Sequence, residues 1–128
     1  MKLKVITPDS TLFNDHATRL NIAERIGSFS ILSNHAPLIT VIKDFVSTIQ
    51  TEADDLTFIA ANSGTLKVLN NEVSLTIDYG VLGTNKEDAW TNLESLRKEI
   101  AEKSGSLGDN TIANLELELM KRIKEMRV

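Results

Sequence analysis

The 128-residue sequence has no cysteine, two prolines, one tryptophan and two histidines. Without cysteine there can be no disulfide, no thiolate metal site and no cysteine nucleophile. The absence fits a reducing compartment. Neither His16 nor His35 stands at helical ligand spacing from another histidine or a glutamate, so no metal site is expected. No apolar run approaches the roughly 20 residues that span a bilayer, so any membrane association must run through a partner. The opening Met1-Lys2-Leu3-Lys4-Val5 enters a strand pattern at once, with no leader-like apolar core. Neither a phosphate-binding Gly-x-x-x-x-Gly-Lys loop nor a Gly-x-Gly-x-x-Gly fingerprint is found. A net charge of −4 argues against a nucleic-acid partner.

What is present is a soluble, globular balance of 41% apolar and 25% charged residues. The charge is uneven. Of the first 84 residues 15 are charged, against 17 of the last 44. The hydrophobic period changes at the same place, near Gly83-Thr84-Asn85. Two regions are therefore expected, 1–84 and 85–128.

Before the boundary, short runs alternate with period two, as strands with one buried face do. Leu3 and Val5, Leu20 and Ile22, and Phe29 and Ile31 mark three of them. Further runs are Leu38 to Ile42, Phe45 to Gln50, Leu56 to Ala61, Thr65 to Leu69 and Glu72 to Ile77. Asn70-Asn71 suits a tight hairpin turn, because asparagine tolerates positive φ. His16, after Asn14-Asp15, reads as an exposed turn residue. Many short strands at this spacing predict an all-β sandwich.

After the boundary the period becomes helical. Asn85 can cap a first helix, with Glu87 and Asp88 in the first turn where the macrodipole favours negative charge. Trp90, Leu93, Leu96, Arg97 and Ile100 follow at three- and four-residue spacing. Ser104-Gly105-Ser106-Leu107-Gly108 is expected to break the helix. Ile112, Leu115, Leu119, Ile123 and Met126 then repeat as a second stripe. The prediction is a sandwich with a C-terminal antiparallel two-helix hairpin. Two such helices are too short to bury a core of their own, so they should lean on the sandwich or on another protein.

One segment carries more information: Gly27-Ser28-Phe29-Ser30-Ile31-Leu32-Ser33-Asn34-His35-Ala36-Pro37-Leu38-Ile39-Thr40. Read from its residues alone, it is a strand, a polar turn and another strand. Phe29 and Ile31 then belong to the core, and Pro37 shapes the loop. The segment also resembles the signature of the ATP synthase ε subunit family: a glycine, Phe-Gly-Ile-Leu, then Pro-Gly-His-Ala-Pro-Leu-Leu-Thr. The opening strand to Pro8, Leu12-Phe13, the stretch Phe58 to Val68 and the helical tail are similar to the family as well, so the resemblance spans essentially the whole chain. Three departures stand out. Ser33-Asn34 replaces Pro-Gly, Ser28 stands where many members carry an acid, and Lys43-Asp44-Phe45 replaces a Pro-Gly-containing turn. Such drift suits a divergent ordinary ε subunit or its counterpart in the alternate, N-type ATPases.

The resemblance implies a non-catalytic rotor subunit whose sandwich binds the foot of the γ subunit and rests on the c-ring. It implies that Ser33, Asn34, His35, Ala36 and Pro37 lie in the contact region, with Gly27, Ser28 and Phe29 nearby. It implies a hairpin that can extend into the α/β catalytic head and inhibit hydrolysis. The implied location is the cytoplasmic face of a bacterial plasma membrane, reached through the complex.

Some members bind a regulatory ATP through Ile/Leu-Asp-x-x-Arg-Ala on the first helix. The counterpart here is Leu93-Glu94-Ser95-Leu96-Arg97-Lys98, with Arg122 and Arg127 as further phosphate ligands. No other cofactor is expected. Glu94 and Arg97 are three apart and can equally pair on the surface. Two other classes stay open at this point. One is a free-standing nucleotide sensor or adaptor. The other is a small hydrolase centred on His35, since triads are assembled in space, although no nucleophile elbow accompanies it.

Overall fold

The computed structural model describes residues 1–107. Eight strands precede one helix: β1 Lys2–Ile6, β2 Thr11–His16, β3 Arg19–Glu24, β4 Gly27–Leu32, β5 Leu38–Gln50, β6 Leu56–Leu69, β7 Glu72–Ile77, β8 Gly80–Gly83 and α1 Lys86–Leu107. All pairings are antiparallel except β1 with β7, which is parallel.

The architecture follows from two long strands. The runs 38–42 and 45–50, read as separate, form one 13-residue strand; 56–61 and 65–69 form one of 14. β5 and β6 pair along nearly their whole length, with Lys43 opposite Ser63 and Phe45 opposite Ala61. Between those pairs Asp44 takes a left-handed φ of 50°. Such a residue re-aims a strand in the manner of a bulge. On one side of the bend, β6 pairs β7, which pairs β1 and then β2. On the other, β6 pairs β8, and β5 pairs β3 and then β4. The register thus yields two five-membered layers joined through β5 and β6.

The core lies between the layers. Leu3, Val5, Leu20, Ile22, Ile31, Phe45, Ile49, Ile59, Leu66 and Leu75 are fully buried there. Each such side chain contributes about 1.5–3 kcal/mol of burial. Phe29, assigned to the core from its alternation, is partly buried against it. His16 is exposed, yet it ends β2 opposite Lys2 rather than sitting in a turn. The Asn70-Asn71 turn forms as its chemistry predicts, with φ of 51° and 61°.

α1 packs on the outer face of the second layer. Alternation turns Val46, Ala60 and Val81 away from the main core, and Ala89, Leu93 and Leu96 cover them. Phe58, Trp90 and Ile100 pack around this cluster. Asn85 caps the helix, its Oδ1 accepting from the Asp88 amide at 2.8 Å. Asp88 reaches back and accepts from the Thr84 amide, also at 2.8 Å.

Of the expected break at Ser104-Gly105-Ser106-Leu107-Gly108, the first four residues are corrected, since α1 runs through to Leu107; Gly108 lies outside the described residues. A glycine inside a helix costs only about 1 kcal/mol relative to alanine, so glycine and serine weaken a helix without ending it. The second helix expected beyond it lies outside the described residues. No described helix is long and apolar enough to cross a membrane.

Candidate partner-binding loop and helix seat

Residues 33–37 join the two layers, running from the end of β4 to the start of β5. Asn34 takes φ of 64°. That conformation is open to glycine and tolerated by asparagine, so Asn34 does the conformational work of the Gly in the resembled Pro-Gly. The loop is tied down at three points. The Asn34 amide donates to Asn71 Oδ1 at 2.8 Å, the Met1 amino group donates to Ser33 Oγ at 3.3 Å, and the His35 amide donates to the Leu32 carbonyl at 3.2 Å. Ser33, Asn34, Ala36 and Pro37 are exposed and His35 is half-buried. This end of the sandwich therefore gathers the 33–37 loop, the Asn70-Asn71 turn and the N-terminus.

His35 Nδ1 lies 2.7 Å from the Ala36 carbonyl oxygen. Among the described residues, that bond to a neighbour's backbone is the ring's hydrogen bond; no serine or acid is joined to it.

Gly27, Ser28 and Phe29 sit elsewhere. Glu24 pairs Gly27, and Arg19 pairs Leu32. Gly27 therefore opens the tip of the β3–β4 hairpin, while Ser33 lies beyond its base. At ~3.3 Å per residue the two are separated by roughly 20 Å along the strand. Ile26 at that tip is 96% exposed. The resembled signature thus spreads over both ends of one hairpin.

Sequence reasoning missed the two most exposed apolar residues after Ile26. Ile39 and Val41 point outward from β5 at 70% and 64% exposure. In the first layer β5 is the edge strand. The signal was present: Leu38 to Ile42 is apolar at both parities apart from Thr40, which suits a strand covered on both faces. Which layer edge it would occupy was not readable.

On α1, the residues proposed for nucleotide binding are in three situations. Leu93 is fully buried against the sheet. Glu94 Oε1 accepts from Arg97 Nη1 at 3.0 Å. Arg97 Nη2 donates to Asp44 Oδ1 and, at 2.9 Å, to Asn62 Oδ1. The guanidinium also lies 5.5 Å from the centre of the Trp90 ring. Desolvation opposes its charge, yet the Asp44 and Tyr79 partners hold its pKa above the ordinary arginine value. An open depression beside it is lined by Thr91, Glu94, Ser95, Arg97 and Lys98. Arg122 and Arg127 lie outside the described residues. Among the described residues no cluster of three metal-ligating side chains forms.

Comparison with known proteins fits this architecture. Residues 1–82 match the family model described as ATP synthase, Delta/Epsilon chain, beta-sandwich domain. The chain is 30% identical over 112 residues to an ATP synthase epsilon chain of Prochloron didemni, covering 86% of this chain and 80% of that one. In fold it is similar to a chain of the Euglena gracilis mitochondrial ATP synthase OSCP/F1/c-ring structure. The TM-score is 0.59 at 14% identity, over 96% of this chain and 78% of the other. A chain of the Tetrahymena thermophila mitochondrial ATP synthase central stalk and c-ring gives 0.50 at 13% identity, over 98% and 92%. A sandwich built on two bent strands, a loop carrying His-Ala-Pro-Leu and these matches together identify the chain as a member of the ATP synthase epsilon-subunit family.

Proposed function

We propose that this chain is a non-catalytic central-stalk subunit that joins the γ subunit to the c-ring of an F-type ATP synthase. The observation that carries the reading is the outward apolar edge of β5, Ile39 and Val41, continuing directly from the tied-down loop Ser33 to Pro37. Exposed apolar side chains next to a preorganised polar loop suit a protein interface. Gly27, Ser28, Phe29 and the exposed Ile26 form a second contact, on the c-ring. With serine at position 28, that contact relies on shape and apolar area rather than on an acidic charge. Residues 1–84 bind the rotor, and the complex supplies the attachment to the membrane, on the cytoplasmic face in a bacterium.

Residues 85–128 form the regulatory part. The repeat of Ile112, Leu115, Leu119, Ile123 and Met126 supports a second helix completing a hairpin. In the docked state α1 rests on the sandwich. In the extended state the hairpin reaches the α/β head and obstructs hydrolysis. Reconstitution with γ and the α/β head tests both parts. Stoichiometric binding to γ is expected, and removal of residues 85–128 should raise ATP hydrolysis. A chain that ignores γ would end the first claim; unchanged hydrolysis would end the second.

A second reading draws on the depression beside Glu94, Arg97 and Lys98. On this reading Glu94 and Arg97 at the depression, with Leu93 anchoring their helix turn from its buried side and Arg122 and Arg127 as further ligands, hold a regulatory ATP, either within the synthase or as a free-standing sensor. Tight ATP binding by the isolated chain, lost in Arg97→Ala and Arg122→Ala, would support it. Co-purification with γ separates the two settings.

A further inference from the structure

The apolar patch under α1 is modest. On the sheet side its buried residues are Val46, Ala60 and Val81, with Phe58 and Tyr79 only partly buried around them. Halfway along the helix a polar assembly interrupts it. Arg97 leaves α1 and enters a socket made by three other segments. Asp44 comes from the bend of β5, Asn62 from the bend of β6, and Tyr79 from the link between β7 and β8. The Arg97 side chain is 21% exposed and that of Asp44 41%.

The socket is held by bonds that do not involve the arginine. Asp78 Oδ2 accepts from Asn62 Nδ2 at 2.7 Å, which fixes the amide so that its oxygen faces Arg97. Asp78 Oδ1 accepts from the Ser63 amide at 3.0 Å and the Tyr79 amide at 2.7 Å. These bonds pin the backbone on both sides of the socket. Asp44 holds a left-handed φ of 50° that presents its carboxylate there. The guanidinium in turn is aimed from its own helix by Glu94 and Trp90. Fixed donors facing fixed acceptors lose little freedom on pairing, which is where arginine forks are most effective.

We propose that Arg97 is the bolt of α1: its seating between Asp44 and Asn62 sets how often the helix is docked on the sandwich, without any bound nucleotide. The chain supplies from β5 the anion that a phosphate would otherwise provide. Any consequence for ATP hydrolysis rests on the regulatory reading given above; the bolt itself does not.

The test uses the full chain, free of nucleotide, and follows hydrogen exchange of the α1 amides. Asp44→Asn keeps a residue that tolerates positive φ. Arg97→Gln changes only the helix. Each is expected to speed exchange along α1 by about tenfold or more, the loss of a charge-assisted hydrogen bond. Amides of Ile59 and Leu66 in β6 should keep their protection. The double variant should exchange no faster than Arg97→Gln alone, because Asp44 acts on the helix only through Arg97. Raising salt should speed α1 exchange in the unmodified chain and leave Asp44→Asn unmoved. Lys98→Ala, the neighbouring cation outside the socket, should change nothing. Single variants within about twofold of the parent, or additive effects in the double, would overturn the bolt. In reconstituted enzyme, Asp44→Asn should deepen inhibition of hydrolysis. Faster exchange without deeper inhibition sinks the regulatory reading and leaves the bolt standing.

Discussion

Gly83 lies against the backbone of Ala89: a methyl group at position 83 would stand 2.3 Å from the Ala89 nitrogen and 2.5 Å from its Cα. The last residue of β8 and the first turn of α1 therefore meet with no room for a side chain. Backbone cannot give way as a flexible side chain can. Gly83→Ala is expected to push the start of α1 outward and cost about 1–3 kcal/mol of helix docking. Hydrogen exchange should lose protection over residues 89–96 while β1 and β7 stay protected. Unchanged protection would mean that the helix start shifts freely.

The two apolar clusters predict two separable losses. Leu93 belongs to the helix seat and Leu75 to the core between the layers. Leu93→Ala should cost about 2–5 kcal/mol of α1 docking, with the sandwich still folding cooperatively. Leu75→Ala should cost a similar amount, but from the stability of the whole sandwich. Hydrogen exchange through one denaturant titration, read separately over the α1 amides and over those of β1 and β7, distinguishes the two. Coincident loss in Leu93→Ala would contradict the separation.

Asn34 is held in the left-handed region and tied to Asn71. Asn34→Ala should cost about 1 kcal/mol through backbone strain, whereas Asn34→Gly should be near neutral. Both would be read from urea midpoints. If Ser33 to Pro37 is the γ contact, Asn34→Ala should also weaken γ binding more than Asn34→Gly does.

Tyr79 gives a pH prediction. Burial raises its pKa above the ordinary 10.0, and Asp78 adds to the rise, while Arg97 beside it pulls the other way. A raised value means that the folded state holds the proton more tightly than the unfolded chain. The associated stability is complete below the ordinary tyrosine value and is lost as pH rises through it towards the folded value. Tyr79→Phe should therefore show a flatter fall in stability than the parent on the alkaline side. Identical alkaline slopes would show that the hydroxyl is not the group being titrated.

How much of this was readable in the sequence depends on the range of the interaction. The alternation of Leu3 with Val5, Leu20 with Ile22 and Val73 with Leu75 marked strands directly, because burial of one face writes itself at period two. The Asn70-Asn71 turn and the Asn85 cap are decided by neighbours within four residues, and both were legible. The continuity of β5 was not. Lys43-Asp44 looks like an interruption, and only pairing with β6 turns a left-handed aspartate into a bend inside a strand. β8 was missed because its four residues are two apolar ones between two glycines, too short a pattern to register. The loop Ser33 to Pro37 was visible through its resemblance. The outward placement of Ile39 and Val41 depended on β5 lying at an edge, a tertiary fact. The partner of Arg97 was beyond reach. Glu94 was a visible neighbour, while Asp44 is 53 residues away in sequence.

The two long strands have a mechanical consequence. In a sandwich whose layers touch only through side chains, one layer can slip past the other at the expense of dispersion contacts. Here β5 and β6 each cross from layer to layer as unbroken chain. A load tending to shear the block must pull on two covalent backbones and on the ladder that zips them together. Twisting force entering at the loop end would leave at the far hairpin with little lost to internal sliding.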